Sequence, residues 1–306
     1  MMKSKSEGPI DENSSPRCGH HWWNRLGELT VKQFLITAAL AAFFIAATTV
    51  SSVAQNDVPV QEHQQMLYPT VQIRVGNGSG SGTVIHSSQN AAGEYESFVL
   101  TNHHVVTNYI KLKKVWSPDA QEHIEVETRR PVHVDLWEYN NFSTSIGTIG
   151  RLAHIVAYDE SRDLALLQIE DRERPMPYVA TLYPEDRDGG PYIFQTVYAV
   201  GAGLGNPPFP TVGVLSGYGR DQNGNSLFLA SAPIIFGNSG GSLFVYGPRR
   251  AYELIGVPSM VSAYGWGSVV SHMNWSRPID EIRLFLRQAG YGATILDDPV
   301  EEEVVE

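Results

Sequence analysis

Phe236-Gly237-Asn238-Ser239-Gly240-Gly241-Ser242 reads as a tight turn that holds its serine at the end of a strand. The apolar run Pro233-Ile234-Ile235 leads in, and two glycines follow the serine. Glycine at 237 permits positive φ, which would let the amides of Gly237 and Ser239 point into one small space, as an oxyanion hole requires. The same residues are also ordinary turn chemistry, so their meaning depends on what the rest of the chain supplies.

Two upstream stretches supply it. Phe98-Val99-Leu100-Thr101-Asn102-His103-His104-Val105-Val106 sets a histidine pair between β-prone apolar runs, which predicts a strand through the histidines. Ser161-Arg162-Asp163-Leu164-Ala165-Leu166-Leu167-Gln168-Ile169 places an aspartate directly before a buried-strand pattern. A serine hydroxyl is a poor nucleophile at neutral pH. It needs a base, and the base needs a carboxylate to fix its tautomer and stabilise its cation. The order histidine, aspartate, serine provides all three.

With 306 residues and 42% hydrophobic content, the chain can bury a sizeable core in one large domain or two modest ones. The formal net charge is −11, of which Asp297, Asp298, Glu301, Glu302, Glu303 and Glu306 contribute six, leaving −5 for the rest. No basic surface is available for phosphate backbones, so nucleic acid is not expected as a partner. The single cysteine, Cys18, excludes an internal disulfide. Cys18, His20 and His21 do not have the spacing of a closed four-ligand site, and no metal is expected.

Residues 1–33 are polar with mixed charge and read as a disordered cytoplasmic tail. From Phe34 to Val50 no charge occurs, and counted to Ala54 the run is long enough to span a bilayer. Lys32 on its amino side predicts a membrane helix at 34–54 with everything after it translocated, to the periplasm or the extracellular side. Ser52-Val53-Ala54 offers a cleavage site that would give a secreted product, whereas the long leader favours an uncleaved anchor. Residues 55–67 read as a stalk.

Beyond residue 67 the pattern is β. Thr70 to Val75 alternates, Gly76 to Gly82 reads as a hairpin connection, and Thr83-Val84-Ile85 resumes a strand. A phosphate-cradling loop would need a helix directly after the glycines, and a β-branched run stands there instead. Further strands are expected between Ile124 and Tyr139 and at 197–201, 212–220, 226–232, 242–246 and 254–257. One amphipathic helix is expected from Pro278 to Arg287, ended by Gly290. The expectation is an all-β fold of two six-stranded barrels packed together at 68–172 and 191–290. A Pro- and Gly-rich linker at 173–190 joins them, the helix closes the second, and an acidic disordered tail follows at 291–306.

Leu100 to Val106, Asp163 to Leu167 and Gly237 to Gly241 together resemble the three catalytic motifs of trypsin-like serine proteases with the chymotrypsin fold, and are closest to the HtrA/Deg branch. The resemblance extends from about Thr70 to about Gln288. It implies His104 as general base, Asp163 as its orienter, Ser239 as nucleophile, and the Gly237 and Ser239 amides as oxyanion donors. It selects His104 over His103 because the family's histidine directly precedes the apolar pair. The chain departs from the pattern in three ways. Ser242 stands where the family often has proline. The 59 residues from His104 to Asp163 are longer than the branch typically shows, so 107–150 is expected to add strands or a loop beside the cleft. With only the acidic tail after the helix, the PDZ domain usual in HtrA enzymes is not expected.

The resemblance also implies substrate contacts at Pro233, near the base of the primary pocket, and along the Gly256 to Met260 strand, with Gly256, Val257 and Pro258 as its named contacts. With no acid beside Pro233, a small or medium apolar side chain is the expected preference. The expected function is a serine endopeptidase acting on proteins or peptides without a cofactor, attached to the membrane through its amino-terminal helix. The rivals are a catalytically silent member of the fold serving as an anchored scaffold, and an esterase using the same residues.

Overall fold

In Thr70-Val71-Gln72-Ile73-Arg74-Val75 the β-branched residues recur at every second position, and Val71 and Ile73 are both fully buried. A computed structural model describes residues 60–119, 121–185, 190–265 and 267–298. This segment is β1, and it pairs in antiparallel fashion with β2 (Gly78–Gln89). With β3 (Tyr95–Thr101), β6 (Val132–Asn140), β7 (Thr144–Asp159) and β8 (Leu164–Ile169) these strands close into a barrel in the order β1-β2-β3-β8-β7-β6. Between β3 and β6, β4 (Ile110–Ser117) and β5 (Glu122–Arg129) form a separate two-stranded ribbon, which accounts for much of the long interval from His104 to Asp163.

The second half contains β9 (Thr181–Leu182), β10 (Thr196–Gly201), β11 (Phe209–Arg220), β12 (Ser226–Ala230), β13 (Ser242–Tyr246), β14 (Tyr252–Tyr264) and β15 (Ser268–Pro278). They form one sheet in the order β13-β10-β11-β12-β15-β14-β9. An additional β13–β14 pairing brings the path through six of the strands back on itself. The amphipathic helix is present at Ile279–Gln288, with Ile282, Phe285 and Leu286 buried.

Period two also explains why β3 and β8 read as continuous apolar runs. Val99, Ala165 and Leu167 face the core of the first barrel, while Phe98, Leu100, Leu164 and Leu166 belong to the core cluster of the second. A strand buried on both faces has no polar side to show. Thr101 pairs with Ala165, so the end of β3 lies beside the start of β8 at the junction of the two halves.

The structure corrects several expectations. The glycine-rich stretch is a turn only at Gly76 and Asn77, and from Gly78 it is already paired strand. The glycines serve close approach: a Cβ on Gly80 would lie 2.7 Å from a Val105 methyl and 3.3 Å from the Ser239 carbonyl oxygen. The histidines do not continue β3. His103–Val106 is a single helical turn, α1. The end of the expected stalk is docked, with Met66 buried, the Tyr252 hydroxyl on Glu62 and the Tyr252 amide on Gln65. The expected tail begins with structure, since Gly292–Ile295 is helical and Asp298 pairs with Arg287; 299–306 lie outside the described residues. No described helix is long and apolar enough to cross a membrane, and 34–54 falls outside the described residues, as do Cys18, His20 and His21.

Candidate active site

The β3–β8 register delivers His104 and Asp163 to the same place from opposite ends of two neighbouring strands. Asn102 ends the extended backbone of β3 and donates its side-chain amide to the Asp163 carbonyl (2.7 Å). The helical turn α1 then separates the two histidines. His103 is buried and stacks on Tyr158, with ring centroids 5.0 Å apart, while the His104 side chain remains 48% exposed.

Asp163 has φ of +54°, a left-handed backbone that a non-glycine residue holds only when its surroundings compensate. They do so here. The His104 amide donates to its Oδ1 (2.9 Å), the His104 ring Nδ1 lies 2.9 and 2.8 Å from its two oxygens, and the Ser259 hydroxyl donates to Oδ2. A carboxylate can only accept, so the ring proton belongs on Nδ1. That leaves the lone pair of Nε2 free to act as a base.

Ser239 sits on a turn whose backbone amides can be followed one by one. Asn238 donates to Ile235, Gly240 to Pro258 and Gly241 to Asn238. Among the described residues, the Gly237 and Ser239 amides have no such acceptor. The Phe236 carbonyl receives the Leu204 amide (2.7 Å). In a trans peptide this turns the Gly237 N–H to the side opposite Leu204. Gly237 is at φ +97°, and a Cβ there would come within 2.7 Å of the Ala202 oxygen and 2.8 Å of the Leu204 nitrogen, so glycine is required. Ser239 and His104 line one cleft of about 580 Å³, together with Asn108, Tyr109, Arg130 and Phe236. No hydrogen bond among the described residues joins Ser239 Oγ to the His104 ring. A contact of this kind often tightens only when substrate is bound.

Residues 80–249 match the family described as Trypsin-like peptidase domain. The chain belongs to that family. Protease Do-like 5, chloroplastic, from Arabidopsis thaliana is 31% identical over 186 residues, which cover 58% of this chain and 51% of that protein. Two solved structures share the fold. The HtrA-type protease AlgW with tripeptide has a TM-score of 0.53 at 19% identity, covering 76% of this chain and 63% of its own. The serine endoprotease from Yersinia pestis has a TM-score of 0.51 at 18% identity, covering 76% and 66%. The chain thus spans about half the length of the Arabidopsis relative and under two thirds of these two proteins.

Within this peptidase domain, the residues expected to touch substrate are placed differently from one another. Pro233 is exposed and lines neither of the site's two clefts; its carbonyl accepts from the Thr211 hydroxyl. Gly256 is held between β13 and β15, Val257 lies in the core, and the Pro258 carbonyl is occupied by the Gly240 amide. Further along the same strand Met260 is exposed and Val261 half-buried, after a buried Ser259. Ser259, Met260 and Val261 line a second cleft of about 830 Å³, which also borders His104, Asp163 and Trp275. The sequence suggests a strand reaching Met260 at most, but β14 runs from Tyr252 to Tyr264, and β15 pairs along it where the sequence reading has no strand.

The wall of this second cleft carries a buried ion pair. Arg277, 2% exposed, reaches Asp221 at 3.0 Å. Burial works to raise the Asp221 carboxyl, but hydrogen bonds from Asn225 and Arg277 and the guanidinium charge outweigh it and hold the group below the usual carboxylate range. Ser259 falls within the strand expected to bind peptide, but its bond to the Asp163 carboxylate escaped sequence reasoning. No three described His, Cys, Asp or Glu side chains are grouped as metal ligands.

Proposed function

We propose that this chain is a serine endopeptidase in which Ser239 attacks a peptide carbonyl while His104 Nε2 takes its proton. Asp163 holds the imidazole in the productive tautomer and stabilises the imidazolium. The Gly237 and Ser239 amides receive the charge that develops on the carbonyl oxygen. His104 returns its proton to the leaving amine, and water releases the acyl group from Ser239. The observation that carries this reading is the pair of uncommitted amides on the Ser239 turn, which shares a cleft with the His104–Asp163 pair.

The substrate reading rests on a free edge. β14 pairs with β13 only as far as Gly256, whereas β15 follows its other edge to Tyr264. From Ser259 onward that first edge has no strand partner among the described residues, which suits addition of an extended peptide. The preference for a small or medium apolar side chain at the cleaved position rests on the sequence resemblance alone, since Pro233 lines neither cleft. Efficient cleavage after arginine in a peptide library would refute that preference. From the sequence we also propose that 34–54 anchors the chain with its peptidase domain outside the cytoplasm. Protection of the domain from protease added to the cytoplasmic face of sealed vesicles tests this, and digestion there would count against it.

The test of the reaction is labelling of the full-length chain with a fluorophosphonate. Labelling is expected in the wild type and should be absent in Ser239→Ala and strongly reduced in His104→Ala. A folded wild-type chain that does not react would point to a silent scaffold.

A further inference from the structure

We propose that the Ser81 hydroxyl is a positioning group for the oxyanion amides, an assignment that rests on the peptidase reading above. Ser81 lies on β2 in the first barrel and is 0% exposed. Each of its polar groups is engaged. Its amide donates to the Ser239 carbonyl (2.8 Å), and its own carbonyl accepts from the Thr101 hydroxyl (2.7 Å). Its hydroxyl accepts from the Ala202 amide (2.7 Å) and lies 2.6 Å from the Gly237 carbonyl oxygen. The Ala202 N–H can only donate, so the single hydroxyl proton goes to Gly237.

That bond acts on the peptide between the two oxyanion donors. The Gly237–Asn238 unit is held at its oxygen by Ser81 and at its N–H by the Ile235 carbonyl (3.0 Å). The preceding unit is held through Phe236 and Leu204 (2.7 Å). Gly237 is the joint between the two planes, and glycine is the residue most free to rotate. Without the Ser81 hydroxyl, the Gly237 carbonyl and the Ala202 amide lose their shared partner, and the relative direction of the Gly237 and Ser239 amides is no longer imposed. The two main-chain bonds of Ser81 survive side-chain substitution, so the hydroxyl can be tested by itself.

Thr83 provides the control. It lies two residues along β2, is equally buried, and bridges to the nucleophile segment through the Ser242 hydroxyl (2.6 Å) without touching a peptide of the oxyanion pair. The experiment compares full-length wild type, Ser81→Ala and Thr83→Val by three measurements. These are kcat and KM on a peptide substrate, inhibition by a peptide aldehyde that forms a tetrahedral adduct, and amide hydrogen exchange over residues 233–243. Ser81→Ala is expected to lose roughly 10- to 100-fold in kcat with KM within about twofold, and to weaken the aldehyde by the same factor. Exchange at the turn should accelerate. Thr83→Val should lose stability while keeping kcat and the exchange pattern.

Wild-type kcat and exchange in Ser81→Ala would overturn the proposal, as would an equal loss of kcat in Thr83→Val. If Ser81→Ala does not accumulate folded, Ser81→Cys, with its weaker donor, gives the same comparison with a smaller loss. A wild type that neither turns over peptide nor binds the aldehyde would refute the peptidase reading. Exchange would then decide Ser81 alone: acceleration confined to the Ser81 variant supports its hold on the turn, and unchanged exchange overturns it.

Discussion

The two sides of the site are held in different ways. His104 and Asp163 are fixed mainly by side chains, since Asp163 is gripped by the His104 ring, the Ser259 hydroxyl and, at its carbonyl, the Asn102 amide. Ser239 is fixed mainly by backbone: its turn closes through the Asn238, Gly240 and Gly241 amides, and Ser81 is the side chain that reaches in. A side-chain grip uses groups whose chemistry is written in the residue names. A backbone grip depends on which carbonyl each amide finds. Substitution should therefore act on the histidine side through protonation and orientation, and on the serine side through main-chain geometry.

The largest expected effect tests the first half of that contrast. Asp163→Asn keeps the shape but can place a donor beside His104 Nδ1, which favours the tautomer with its proton on Nε2. We expect a fall of roughly 10⁴-fold in kcat/KM with the fold intact, the size that loss of the orienting carboxylate has in this mechanism. A loss below tenfold would mean that the grip on His104 is backbone after all. Gly237→Ala tests the other half and should cost about 10²-fold in kcat, the scale of one lost oxyanion donor. KM should change little. Its Cβ would press on the Ala202 oxygen and the Leu204 nitrogen, so the turn must shift. If KM rose while kcat held, the turn would be a binding surface rather than an oxyanion site.

This division also governs what was legible in the sequence. The order His104, Asp163, Ser239, the alternation of β1 and the apolar runs of β3 and β8 were readable because residue type and period carry them. The helical turn at His103–Val106 was not, because Val105 and Val106 have strand propensity and only packing against Gly80 and β8 makes them helical. The glycines of β2 read as a loop because close approach leaves the same signature as a turn. The contacts of Pro258 and the exposure of Met260 depend on where β14 parts from β13, a register that no single strand encodes.

A smaller effect is expected in the cleft wall, where side chains again do the holding. Asp221→Asn leaves the buried Arg277 guanidinium without its counter-charge while keeping one acceptor. We expect about 2 kcal/mol of lost stability, below the range for removing a buried partner outright. The pH dependence has a defined sign. Because the folded Asp221 carboxyl lies below its ordinary value, its contribution is complete above roughly pH 5 and is lost as pH falls through the depressed value. Denaturant unfolding at pH 7 and pH 3 should therefore show a gap between wild type and Asp221→Asn that narrows in acid. A constant gap would mean that shape, and not charge, is what Asp221 supplies.

The smallest effect is the most discriminating for the contrast itself. Ser259→Ala removes one of the bonds to the Asp163 carboxylate and leaves the His104 amide and ring in place. If the grip on Asp163 is distributed among side chains, the remaining contacts keep the left-handed backbone at 163, and kcat/KM should fall only about fivefold, near 1 kcal/mol for one hydrogen bond. If Ser259 alone sets the carboxylate plane, the loss would approach that of Asp163→Asn. Combining the two substitutions separates the cases. When Ser259 acts only through Asp163, the double variant is no worse than Asp163→Asn, because the hydroxyl has no carboxylate left to orient. Losses that multiply would instead give Ser259 an independent part, at the open edge of β14 where the peptide is proposed to bind.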